Sequence, residues 1–229
     1  MTTRDAEALR PLPAPFFARN VLIVARALLG QRLVRRYGDG PAAPRLLARI
    51  IEVEAYGGRR DRASHSFRGP TARCATMFGP AGRLYVYFTW GNHFCINVVA
   101  GARTGEQGEA CAILLRAAVL EPPTTTPAAA AAAPAGLAAA RAARARRAGS
   151  ARRRREFIAG RHDGVLLRGP GNLAAALALD RAHDGLDLAD ASGPLWIARG
   201  APARAVAWTP RVGLGDYPAA RWCWRAVAD

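Results

Sequence analysis

Lysine is absent from this 229-residue chain, so all 33 basic side chains are arginines, set against only 17 acidic ones for a formal net charge of +16. Any chemistry that needs a side-chain amine to condense with a carbonyl is thereby excluded, apart from what the terminal amine offers. Cysteine is scarce. Cys74, Cys95, Cys111 and Cys223 are too few and too scattered for a disulfide scaffold, and they lack the paired spacing of a zinc site. His93 and Cys95 read as strand side chains rather than metal ligands, and no metal is expected. Long apolar runs are also missing. The longest, about Ala128 to Ala140, is broken by Pro134 and Gly136, and the polar opening MTTRDAEALRPLP has no signal-peptide core. A cytoplasmic protein with no membrane partner is expected.

What is present is a strongly basic surface, which attracts polyanions, carried by a side chain that forks onto phosphates and stacks on bases. With 51% hydrophobic residues, the chain can bury one substantial core. A single domain over 1–229 is expected, with a basic low-complexity insertion at about 122–160. Asn20 is placed to cap a helix with Val21, Val24, Leu28 and Leu29 at helical spacing, which Gly30 ends. QRLVRRY, the run from Leu46 to Tyr56, LYVYFTWGNHFCIN and CAILLRAAVLE read as strands, and LWIARG, RAVAWTPRVGLG and RWCWRAVAD as closing strands. GPGNLAAALALD reads as a turn feeding a short helix from about Asn172. The insertion, a Thr/Pro/Ala tract followed by Arg141, Arg144, Arg146, Arg147 and Arg152 to Arg155, reads as a mobile or partly helical basic arm whose small side chains bury little. It is either a solvated insertion or a weak phosphate binder.

Chemistry concentrates between Ile50 and Asn97. Alternation along IIEVEAY sets Ile51, Val53 and Ala55 on one face and Ile50, Glu52, Glu54 and Tyr56 on the other. It does not choose between the two carboxylates, either of which would serve as an ion-pair partner for one of the many arginines; separately, Arg116, set inside the apolar run CAILLRAAVLE, needs an anionic partner. The ribbon LYVYFTWGNHFCIN depends on its turn. A two-residue loop would put Tyr87 and Asn97 on opposite faces, whereas a three-residue loop, Trp90 to Asn92, with one positive-φ residue aligns Tyr87 with Cys95 and Tyr85 with Asn97. The three-residue form is expected. It lets Tyr87 and Asn97 line one pocket and leaves Trp90 at the tip. A basic protein with an aromatic wedge suits the opening of duplex DNA from the minor groove, and Tyr56, His65 and Tyr87 suit the walls of a pocket for an extruded base. A buried acid beneath that base would activate water. Two other classes stand beside this reading: a non-enzymatic minor-groove DNA-bending protein and, with no ligand-spaced cluster to support it, a metal-dependent nuclease.

At these residues the sequence resembles the alkyladenine (3-methyladenine) DNA glycosylase family. The resemblance runs through EVEAY with His65, MFGPAGRLYVYFTWGNHFCIN, CAILLRA, GPGNLAAAL and PRVGLG, in order, over most of the chain except its first few residues and the basic insertion. It implies a single mixed α+β domain, a curved antiparallel sheet surrounded by helices with a protruding hairpin. By the same resemblance Glu54 is the general base, Arg116 helps hold the attacking water, Tyr56, His65 and Tyr87 sandwich the flipped purine, and Asn97 screens against normal guanine through its exocyclic amino group. Trp90 falls where the family usually has an intercalating tyrosine, and Asn92 replaces a commonly apolar tip residue. The implied partner is double-stranded DNA containing alkylated bases, bound by a monomer, with no cofactor. Cationic lesions are expected to be processed best, and the missing lysine implies a monofunctional enzyme that leaves an abasic site.

Overall fold

A computed structural model describes residues 9–40, 43–89, 91–102, 108–121, 127–215, 222 and 224–228. The chain opens with a short helix, α1 (Ala14–Phe17), and then α2 (Val21–Leu28), whose first turn is closed by the Asn20 side chain accepting from the Leu22 amide at 2.9 Å. Val21, Val24, Ala25 and Leu28 form its buried stripe. Gly30 follows at φ 87°, where a Cβ would lie 2.0 Å from the Ala201 carbonyl oxygen, so only glycine allows this turn into the sheet.

Strands β1 (Arg32–Arg36), β2 (Arg45–Tyr56), β3 (Leu84–Thr89), β4 (His93–Ala100) and β5 (Cys111–Leu120) come next. Helices α3 (Pro127–Arg146), α4 (Ala151–Ile158) and α5 (Pro170–Ala176) and strands β6 (Leu195–Ala198), β7 (Val206–Thr209) and β8 (Arg225–Ala228) complete the chain. Among the described residues the fold is a mixed α+β domain on an eight-stranded antiparallel sheet of order β3-β4-β5-β2-β1-β6, with β8 pairing both β2 and β7. The β3–β4 ladder joins Tyr85 to Asn97, Tyr87 to Cys95 and Thr89 to His93, with Gly91 at φ 67° in the link. This is the three-residue connection expected from the sequence. Trp90 itself lies outside the described residues.

Strand β2 departs from strict alternation. Its register against β5 shifts between Ile50 and Glu52 and again between Glu52 and Val53, so Ile50 joins Val53 and Ala55 in the core instead of sharing the face of Glu52. A bulge inserts one extra residue and reverses the alternation beyond it.

The arginine-rich tract is more ordered against the core than its composition suggested. Ala140 and Ala145 of α3 and Phe157 of α4 join the main hydrophobic cluster. Small side chains bury little area each, but they let a helix backbone approach its neighbours closely. Ser150 caps α4 by accepting from the Arg153 amide, and Arg152 to Arg155 remain exposed along it. Helix α5 begins two residues earlier than expected, at Pro170, because proline is well suited to the first helical position where no amide partner is needed.

Candidate active site

Glu54 sits in the middle of the sheet, paired through its backbone with Leu114 of β5 on one side and Arg225 of β8 on the other. The residue is fully buried. Burying a carboxylate without partners is costly, and here two hydrogen-bond donors and an ion pair meet it. The Val212 amide donates to Oε1 at 2.8 Å, the Arg116 guanidinium lies 3.2 Å from the same oxygen, and the Tyr56 hydroxyl donates to Oε2 at 3.0 Å. A carboxylate offers about four acceptor positions; with the Tyr56 hydroxyl the one donor shown on Oε2, that oxygen keeps acceptor capacity.

Arg116 is held in turn by Glu52, whose Oε1 accepts from Arg116 Nε at 2.7 Å and from Arg225 Nε at 2.8 Å. Burial alone would lower the Arg116 pKa, but Glu54 and then Glu52 outweigh it and the net shift is upward. Burial likewise opposes the charge on Glu52, yet the hydrogen bonds from Arg116 and Arg225 hold its carboxyl below the ordinary value. The two acids that alternation left equivalent are therefore different: Glu52 orients the arginine, and Glu54 faces a cavity.

That cavity has a volume of about 230 Å³, and Glu54, Tyr56, His65, Tyr87, Asn97 and Arg116 all line it. Its aromatic surface is knit together. His65 Nδ1 and the Tyr85 hydroxyl are 2.9 Å apart, the His65 and Tyr87 rings meet edge to face at 4.5 Å, and Tyr85 and Tyr87 lie 5.5 Å apart at 32°. Although His65 is exposed, crowding by protein and then the nearby Arg73 lower its pKa to about 4, so the ring is neutral at pH 7. Burial raises the phenol pKa values of Tyr56 and Tyr87, which keeps both as uncharged donors; Glu54 adds to the effect at Tyr56 and Cys95 at Tyr87. Asn97, almost fully buried, donates from Nδ2 to the Tyr85 carbonyl at 3.0 Å, which fixes its amide plane.

The sequence reading missed the support beneath Glu54. Arg211 and Asp61, both with side chains inaccessible to solvent, pair through Nη1–Oδ2 at 2.5 Å and Nη2–Oδ1 at 3.1 Å. Arg211 Nη1 also donates to the Ala55 carbonyl at 3.0 Å, and its guanidinium lies 4.7 Å from the centre of the Tyr56 ring. This clamp ties the PRVGLG segment to β2 and brings the Val212 amide onto Glu54. Only the arginine inside that motif hinted at it.

The methylpurine-DNA glycosylase (MPG) family matches residues 15–229. A protein of Streptomyces avermitilis is 41% identical over 217 residues, covering 93% of this chain and 85% of that protein. One from Anaeromyxobacter dehalogenans is 41% identical over 208 residues, covering 89% of this chain and 75% of its own length. One from Carboxydothermus hydrogenoformans is 38% identical over 205 residues, covering 89% and 88%. All three bear the name "Putative 3-methyladenine DNA glycosylase". With a family match across nearly its whole length and relatives of this similarity, the chain belongs to the methylpurine-DNA glycosylase family, hydrolases of N-glycosyl bonds that remove alkylated purines from DNA in base excision repair.

Proposed function

We propose that the chain is a monofunctional DNA glycosylase that flips alkylated purines of the 3-methyladenine type out of duplex DNA and hydrolyses the N-glycosidic bond with a water activated by Glu54. The observation that carries this is the buried Glu54 carboxylate, held by two hydrogen bonds and the Arg116 ion pair with acceptor capacity left on Oε2, in an aromatic-lined cavity. A water donating to Oε2 would be oriented by the same carboxylate that receives its proton, with Arg116 stabilising the charge beside it. The oxygen of that water then attacks the sugar carbon while the bond to the purine breaks.

An alkylated purine already carries positive charge, so its glycosidic bond is weak and the sugar approaches an oxocarbenium-like state without much proton donation. One base then suffices. Neutral lesions such as hypoxanthine need a general acid, and a His65 held neutral makes a poor proton store. Tyr56, one ring face of which is covered by Arg211, and the His65–Tyr87 edge pair supply ring surface to an extruded base. Asn97, its amide plane fixed by Tyr85, disfavours normal guanine through that base's exocyclic amino group. Trp90, in the link between β3 and β4, is assigned as the wedge that fills the vacated stack. The chain acts as a monomer.

The test is to incubate methylated duplex with the protein, identify the released bases by chromatography, and examine the strand before and after alkali. Free methylpurines and strand scission only after alkali are expected, together with no efficient covalent complex on borohydride treatment, since no side-chain amine exists to form a Schiff base. Scission without alkali, or efficient borohydride trapping, contradicts the monofunctional assignment.

A further inference from the structure

Phe88 is 47% exposed on the edge strand β3. A single exposed phenylalanine is ordinary, but this one has an unusual setting. Its register partner on β4 is Phe94, with ring centroids 4.9 Å apart. Strand alternation turns this pair to the opposite face of the hairpin from Tyr87 and Cys95, which line the lesion cavity. Together with Arg73 and Arg181, the two rings border a second, open hollow of about 510 Å³, whose rim includes Tyr87.

Two guanidinium groups, those of Arg73 and Arg181, border the hollow. Arg73 Nη2 donates to the Phe88 carbonyl at 3.5 Å, and Arg181 is pinned by donating to the carbonyls of Val86 at 2.7 Å and Ala72 at 3.3 Å. Arg147, an exposed residue of the arginine-rich tract, places its guanidinium 5.4 Å from the Phe94 ring centre. Two acids sit on the segment that carries Arg181: Asp180 accepts from His183 and the Ala182 amide and also feels the charge of Arg147, and Asp184 accepts from the Val86 amide and the Thr76 hydroxyl.

We propose that Phe88 and Phe94, with Arg73, Arg147 and Arg181, form a stacking platform for a second, unpaired nucleotide of the substrate, distinct from the nucleotide in the lesion cavity. An exposed aromatic ring beside several guanidinium groups suits a nucleobase and its phosphates: the base stacks on the ring, and the phosphates meet the arginines. Because Tyr87 borders both hollows, the platform receives a nucleotide close to the flipped one. The arginine-rich tract, through Arg147, contributes a DNA contact rather than bulk charge. The proposal rests on the DNA-glycosylase reading for its substrate.

The experiment uses the full chain and a short, lesion-free, fluorescein-labelled oligothymidylate, followed by anisotropy over a range of salt, with base release from methylated duplex measured alongside. Phe88→Ala and Phe88→Leu should each weaken oligonucleotide binding by about tenfold, because an aliphatic side chain has no π face, while Phe88→Trp retains wild-type affinity. Arg147→Gln should make the slope of log affinity against log salt shallower by about 0.7. Alanine and leucine variants that fold with wild-type midpoints and bind within about twofold of wild type overturn the platform. Wild-type protein that binds the oligonucleotide through Phe88 but releases no methylpurine would instead sink the glycosylase reading and leave the platform standing.

Discussion

At the scale of single residues, the site depends on which side chains are charged. Glu54 receives donors on both oxygens, Tyr56 is kept protonated as one of those donors, and His65 is kept neutral among the tyrosines. The pH consequence for His65 has a definite sign. In the unfolded chain the imidazole takes up its proton near its ordinary value of 6.5, whereas in the fold it does so only near 4. Between those values the unfolded state binds the extra proton, so the His65 contribution to stability is present above about pH 6.5 and is lost as the pH falls toward 4. Denaturation of wild type and His65→Phe across that window should show the wild type losing stability with acid more steeply than the variant; parallel curves would contradict the assignment. A second prediction concerns the pair beneath Glu54. Removing one partner of a buried ion pair leaves an uncompensated charge, so Asp61→Ala should destabilise the protein by about 3–5 kcal/mol in chemical denaturation. A cost no larger than that of a surface substitution would mean that Arg211 finds compensation elsewhere.

Among the elements, the β3–β4 hairpin and the bulged β2 divide the work. Register in a hairpin is set by its turn, and Gly91 in a three-residue link puts Tyr87 over Cys95 and Tyr85 over Asn97, so one face of the ribbon becomes cavity wall. This much was legible in the sequence because the controlling residues are neighbours. The cap at Asn20 and the stop at Gly30 were legible for the same reason. The bulge near Glu52 was not, since nothing in IIEVEAY marks where one strand takes an extra residue. The Val212 amide on Glu54 was also illegible: a backbone donor has no residue type, and Arg211 and Asp61 are 150 positions apart. For the hairpin tip, Trp90→Ala should slow base release from duplex substrate more than from a single strand, because only the duplex has a stack to be filled. Equal loss on both substrates would assign Trp90 to packing.

For the whole molecule, one mixed α+β domain presents a net charge of +16 carried by arginine alone, and the same sheet that buries its core also delivers Glu54 to a cavity. Composition made the attraction to polyanions readable, but it understated the basic tract. Ala140 and Ala145 pack because they are small, a property that hydrophobic patterning weighs too lightly. The central claim is that this charged framework places the Glu54 carboxylate beneath an extruded, already cationic purine. It is tested most directly by single-turnover release of free bases from methylated duplex by wild type and Glu54→Gln, with DNA binding measured on the same samples. The account predicts a fall in release of about 10²-fold or more with binding retained or tightened, as expected when a positioned base is lost. Release by the variant at the wild-type rate would contradict it.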